Sequence, residues 1–440
     1  MQTGNVQRGA RRREHDLAAC ALLVFAGLNL NGVFLMFIKE SALLSPLVLV
    51  LVLVLWLRYA RPVAVSELLV LFMTFMVSFL AFATVISLIN GSFETTYLTI
   101  YSATLLLIPG VYFWLFGCTD AEFEKVMRLF KGILLIACAL VPLSPYIAPY
   151  LDYKGPEGRA TGLFGSPNDA GVAALYCLVL IAAYPAKSRL VTAIHAIIAL
   201  VALALTFSKA GILCLGLLTL FILVERRSLK LILLAILAFA IAGIALQYLF
   251  DHDLFGLSRE QRERIADVLN LAGGEVTTRA TTGRTILWET GIWRIEDQLP
   301  SGSGLGSFHS LEGGSRGSVE VWLGVHNTFL MIIGEAGLIP FVIFMTFLAR
   351  LFIIGVQAKD RLVAVGFGVV FMVDMFSSHS SFAFRLSNVA LAMAIAVGAR
   401  GAFKRKQAEA LAATAFHRTT RPRRRLAERP APVDALRSAS

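Results

Sequence analysis

The sequence predicts an all-α fold, a polytopic transmembrane helical bundle, and three observations carry that expectation. Hydrophobic residues fill 57% of the 440 positions and charged residues only 16%, against roughly 25% in soluble domains. The apolar residues fall in blocks of about 20, the length a helix needs to cross roughly 30 Å of hydrocarbon. Unpaired backbone groups are too costly in lipid for anything but helices or closed barrels, and the short alternating segments of a barrel are not seen.

About twelve spans are expected, at 17–38, 42–57, 67–89, 97–117, 126–147, 169–185, 190–206, 209–224, 229–250, 327–349, 362–378 and 384–399. Basic residues orient them. With a cytoplasmic N-terminus, the inner segments carry 28 of the 40 Lys and Arg residues, as the positive-inside rule requires. The short loops with Arg58/Arg61, Lys187/Arg189 and Arg226/Arg227/Lys230 agree one by one. An even count of spans places both termini in the cytoplasm.

The chain then divides into five parts. A basic N-terminal tail (1–16) precedes spans one to nine (17–250). A long periplasmic loop (251–326) separates these from spans ten to twelve (327–399), and a basic, disordered tail (400–440) follows. The net charge of +11 sits in the tails and short loops, a topology signal rather than a nucleic-acid groove. The run Arg421 to Arg425 reads as solvated or touching lipid headgroups. Cys20, Cys118, Cys138, Cys177 and Cys214 lie in or at the ends of apolar blocks, so no disulfide framework or metal cluster is implied. No repeat of fixed period appears, which disfavours an inverted-repeat transporter.

Two outer segments draw notice, 148–168 and 251–326. The second contains an amphipathic stretch, Leu257 to Leu271, with Arg259, Arg262 and Arg264 among its polar positions, expected to rest at the membrane interface. It continues through a short helix around Trp288 and Trp293 into a Gly-rich run. A loop of this length is more often functional than incidental.

Four cations depart from the positive-inside trend: Arg159, Lys209, Arg284 and Arg385. Cations held at a membrane surface suit a pyrophosphate, because guanidinium groups clamp phosphate oxygens in pairs. Taken singly, each also reads as a snorkelling surface residue. His326-Asn327 lies where the long loop re-enters the membrane. An imidazole with an ordinary pKa of about 6.5 can take a proton from a sugar hydroxyl; the bland alternative is a capping or core histidine, with Asn327 as a helix cap. Glu335 is expected to pair with a cation or line a polar cavity, while Asp374 and His379 suit structural roles. Gly302-Ser-Gly304-Leu-Gly306 follows no strand and is not a dinucleotide fingerprint. No metal-ligand spacing, nucleophile elbow or P-loop is present.

The ordered set Arg159-x-x-Gly162…Pro167-Asn168, Ser208-Lys209-Ala-Gly211, Gly283-Arg284…Trp288, Pro300…Gly302-x-Gly304…Phe308 and His326-Asn327-x-x-Leu330…Glu335-x-Gly337 resembles the O-antigen ligase and polymerase superfamily. The resemblance covers roughly residues 155–345. It implies a GT-C-like, metal-independent and cofactor-free inverting glycosyltransferase of the bacterial inner membrane, working on the periplasmic side. The donor would be an undecaprenyl-pyrophosphate-linked glycan and the acceptor a lipid A-core or a lipid-linked repeat. By the family pattern, Arg159 and Arg284 hold the pyrophosphate, with Lys209 where arginine is common, and His326 activates the acceptor; Asn168, Asn327 and Glu335 support them. Ligase, polymerase and protein O-glycosylation readings stay open, and a transporter or flippase is the alternative from another class.

Overall fold

In the computed structural model of the chain, residues 16–38, 44–60, 65–147, 159–226, 259–272, 284–309, 324–378 and 381–420 are described, with single positions between 230 and 252. All regular structure among them is helical. The first span is two helices, α1 (Leu17–Gly27) and α2 (Leu30–Ile38). They part at Asn29, whose φ of 49° is left-handed, a conformation Asn tolerates better than most residues. Next come α3 (Leu44–Tyr59), α4 (Glu67–Ile89), α5 (Thr95–Phe116), α6 (Asp120–Leu140) and the single turn α7 (Ser144–Ile147). Then follow α8 (Pro167–Ala183), α9 (Arg189–Leu205) and α10 (Lys209–Arg226). The long loop holds α11 (Arg259–Ala272) and α12 (Arg284–Gln298), and the chain closes with α13 (Thr328–Ala336), α14 (Leu338–Gly355), α15 (Arg361–Ser377) and α16 (Arg385–Thr420).

Side chains set many of these starts. Asp16, Ser66 and Ser166 each accept an amide of the turn that follows, and Pro167 adds a preset φ at the first position of α8. Thr119 and Glu122 form a reciprocal capping box at α6.

Five helical stretches are long and apolar enough to cross a membrane: Glu67–Ile89, Thr95–Phe116, Asp120–Tyr146, Leu338–Gly355 and Arg385–Thr414. Leu17–Gly27, Leu47–Tyr59, Pro167–Ala183 and Arg189–Leu205 are shorter apolar helices. The expected tenth span, 327–349, is two helices broken at Gly337. The tail expected to be disordered from 400 is instead helical through Thr420. At about 1.5 Å per residue, the 36 residues of α16 reach well past a hydrocarbon slab. The ninth span, 229–250, lies largely outside the described residues; those described there, such as Leu233, Leu237 and Ile244, are helical. His379, Leu257, Gly283 and the run Arg421 to Arg425 also lie outside them.

Helix ends fall into two sets. At one end Asp16 accepts Arg58 and Tyr59 at 2.7 Å each. At that end too, Arg350 grips Glu67 with two bonds of 2.6 and 2.9 Å, and Asp120 receives Arg400 at 2.8 Å. Between the ends, α5 packs along α16 and α3, α4 along α14, and α15 against α16, α8 and α10. Phe72, Phe75, Phe79, Phe344 and Phe347 are fully buried and meet in tilted and edge contacts, which add to the burial of their large apolar surfaces. The opposite end gathers the starts of α8, α10, α13 and α16 with the ends of α4, α9 and α15. The candidate site lies there.

Candidate active site

The site begins at the corner between α9 and α10. Thr206 and Ser208 flank Phe207, whose φ is 47°. The Thr206 hydroxyl donates to Leu203 O at 2.7 Å, and the Ser208 hydroxyl accepts Gly211 N at 3.2 Å, capping α10. A side chain at Gly211 would lie 2.8 Å from a Leu203 methyl and 3.2 Å from Ser208 Cβ, so the corner is closely packed. The closed corner aims the Thr206 carbonyl at Arg159. Arg159 donates its Nε–H to that carbonyl at 2.9 Å and a terminal nitrogen to Asn168 Oδ1 at 3.1 Å. Ser208 donates to the same Asn168 oxygen at 3.2 Å. Asn168 thereby ties the start of α8 to the corner and fixes the plane of the guanidinium.

Arg159, Asn168, Lys209, Arg264, Arg284 and Trp288 form the polar lining of a cavity of about 530 Å³. Its other wall is apolar, with Leu213 and Leu217 of α10 facing Met372, Val373 and Phe376 of α15. Leu213 and Phe376 are 63% and 50% exposed, so this wall opens sideways from the bundle, where acyl chains lie in a membrane. Among the described residues that line the cavity, four are cationic and none is acidic. Burial, then the charge of Arg264, lowers the pKa of the Arg284 guanidinium from its usual value. Such crowding of like charge favours an anion.

The structure therefore brings together Arg159, Lys209, Arg284 and Asn168, all singled out in the sequence. It adds Arg264, expected only at the membrane interface, and Asp267, which the sequence did not flag. Lys209 Nζ meets Asp267 Oδ2 at 2.6 Å, with side chains 14% and 8% exposed. A carboxylate one turn after Arg264 on an amphipathic helix was the available signal.

His326 is half-buried with φ 46° and does not line the cavity. Asn327 is a helix cap, accepting Phe329 N at 3.0 Å and Leu330 N at 3.2 Å. The Thr328 hydroxyl donates to Ser378 O at 2.6 Å, beside cavity-lining Ser377. His326 thus sits next to a segment anchored at the cavity edge.

Glu335, expected to meet a cation or line a cavity, lies 4.0 Å from His309 Nε2, a cation when protonated. It is fully buried and accepts Phe308 N at 3.2 Å, holding the Gly-rich run. That run is wedged between α4 and the α13–α14 break: Leu305 N donates to Ala83 O at 3.1 Å, Ser303 N to Gly334 O at 2.7 Å and Leu338 N to Pro300 O at 3.0 Å. His309, absent from the sequence reading, lies here too, stacked on Tyr97 and 2.8 Å from the Tyr101 hydroxyl. Arg385 lies apart from the cavity, 3.4 Å from the Thr104 hydroxyl. Asp374 accepts Ser387 at 3.0 Å, a structural bond.

Fold and cavity define a multi-pass, all-helical membrane protein with a cationic recess at one end of its bundle. Residues 194–345 match the family described as O-antigen ligase. This supports the O-antigen ligase and polymerase superfamily, and with it an enzyme of ligase or polymerase type acting on lipid-linked glycans. The match covers about a third of the chain, from within α9 into α14. It includes Lys209, Arg264, Asp267, Arg284, His326 and Glu335, whereas Arg159 and Asn168 precede it. No curated protein and no solved structure gave a match.

Proposed function

We propose that the protein transfers a glycan from an undecaprenyl-pyrophosphate carrier to an acceptor at the periplasmic face of the bacterial inner membrane, as an O-antigen ligase with lipid A-core as acceptor. The observation that carries this reading is the cavity itself. Arg159, Lys209 and Arg284 share one recess with an apolar wall that opens sideways, and a lipid pyrophosphate has the matching halves. The basic residues at the opposite end of the bundle support a cytoplasmic placement for that end and for both termini.

In this mechanism the acceptor hydroxyl oxygen attacks the anomeric carbon in line, the carbon–oxygen bond to phosphate breaks, and its electron pair leaves with the pyrophosphate. Fixed guanidinium groups stabilise the charge that develops there. His326 takes the hydroxyl proton. A single displacement inverts the anomeric carbon, and neither ATP nor a redox cofactor is needed because the pyrophosphate ester is already activated. Replacing His326 with Asn, which tolerates its left-handed φ, is expected to lower transfer by about 10²- to 10⁴-fold while the protein inserts and melts normally; retained turnover overturns the assigned role.

Deletion followed by gel electrophoresis of surface polysaccharide tests the whole reading. Bare lipid A-core with accumulated lipid-linked polymer is expected. Core capped by one repeat identifies a polymerase instead, and unchanged lipopolysaccharide with altered secreted polymer identifies an exopolysaccharide polymerase.

A further inference from the structure

Lys209 lines the cavity and at the same time meets Asp267 Oδ2 at 2.6 Å. Asp267 belongs to α11, and one turn earlier on that helix Arg264 lines the cavity. Residues three apart share a helix face, so whatever fixes Asp267 also fixes the direction of Arg264. The pair is well shielded, at 14% and 8% exposure. Removing one member of such a pair leaves a buried charge uncompensated, which makes the contact a strong positional constraint. Ile265, between the two, is buried as well. The loop helix is thus tied to the start of α10 by charge.

Resting on the lipid-pyrophosphate reading above, we propose that Arg264 is a phosphate-binding residue of this cavity and that the Lys209–Asp267 pair is the latch that delivers it there. A lysine supplies charge but no planar fork. Arg264 supplies the fork from a neighbouring helix, beside Arg284. Asp267 is a positioning residue in this scheme, since it acts only through where it puts α11.

The test uses the full chain in lipid nanodiscs and geranylgeranyl pyrophosphate as probe, with geranylgeraniol and inorganic pyrophosphate for comparison. The wild type is expected to prefer the lipid pyrophosphate to both. Arg264→Ala is expected to weaken that binding about ten- to a hundredfold, the worth of one or two charge-assisted hydrogen bonds, with Arg264→Lys in between and both melting like the wild type. Asp267→Asn alone is expected to weaken binding similarly, but to weaken it no further when Arg264 is already Ala, since Asp267 acts through Arg264. A wild type without preference overturns the donor reading itself. A preference that survives Arg264→Ala unchanged overturns the Arg264 assignment. Full additivity of Asp267→Asn and Arg264→Ala, when Arg264→Ala alone weakens binding, overturns the latch.

Discussion

The carboxylate of Glu335 accepts the main-chain amide of Phe308 at 3.2 Å across 27 residues of sequence, and so joins the core of α13 to the Gly-rich segment that follows α12. An acid at this depth would ordinarily suggest catalysis, but here its direct hydrogen bond is to backbone, with His309 Nε2 4.0 Å away.

The exchange Glu335→Gln keeps an acceptor for Phe308 N, so near-normal melting and transfer are expected. Glu335→Ala leaves that amide buried without its partner and should cost about 1–3 kcal/mol of stability. Thermal unfolding in detergent beside a glycan-transfer assay reads both. A Glu335→Gln protein that melts normally yet is inactive would show a chemical role instead.

Arg159 reaches two acceptors, Thr206 O and Asn168 Oδ1, a geometry that depends on a planar fork. Arg159→Lys should keep the fold and lose about tenfold in transfer, reflecting one charge-assisted hydrogen bond. Asn168→Ala should shift KM in the same direction by freeing the guanidinium. Equal KM and kcat in all three proteins would remove both residues from the donor site.

Gly337 breaks α13 from α14 with φ 81°, and a Cβ there would run into the carbonyl oxygens of Pro300 and Ser301. Gly337→Ala is expected to lower stability by at least about 1–3 kcal/mol and to reduce folded yield. Gly216, where an added Cβ meets nothing within 4 Å, is the control, and Gly216→Ala should be neutral or slightly stabilising. Similar melting of both variants would mean that the break does not need glycine.

Asp16 caps α1 and binds Arg58 and Tyr59. Burial pushes its pKa up, but the hydrogen bonds from Tyr59 and Arg58 outweigh this and hold it below the usual value. A carboxyl whose folded pKa is depressed adds stability above its unfolded pKa of about 3.9, and that stability is lost as pH falls through the folded value. Melting temperature should therefore fall below about pH 4 in the wild type and less steeply in Asp16→Asn. Asp16→Ala should cost about 1 kcal/mol through the missing cap alone. Identical acid limbs in wild type and Asp16→Asn would exclude Asp16 from the acid response.

Much of the bundle was legible because hydrophobic block length is a local property. The third expected span, 67–89, coincides with α4, and Ser66 marks its start. The breaks at Asn29 and Gly337 were not legible, since an apolar block does not show where one residue turns left-handed. Charge position identified Arg159, Lys209 and Arg284, and the structure places them around one cavity. Arg264 was seen but read as an interface residue, because amphipathicity reports that a face is polar without saying what the face meets. Asp267 escaped notice because its partner lies 58 residues away. The burial of Glu335 was legible, but its backbone partner at Phe308 has no sequence signature.

The amide of Val325 donates to the carbonyl of Phe308 at 3.1 Å, so the chain leaves the Gly-rich run and returns to His326 through one closed neck. In engineering terms the neck is a splice point. Closing a longer loop costs little more than closing a shorter one, about 0.6 kcal/mol per doubling. Inserting residues beyond His309 and before Gly324 is therefore expected to leave the cavity, Glu335 and His326 in their places, as unchanged melting would show.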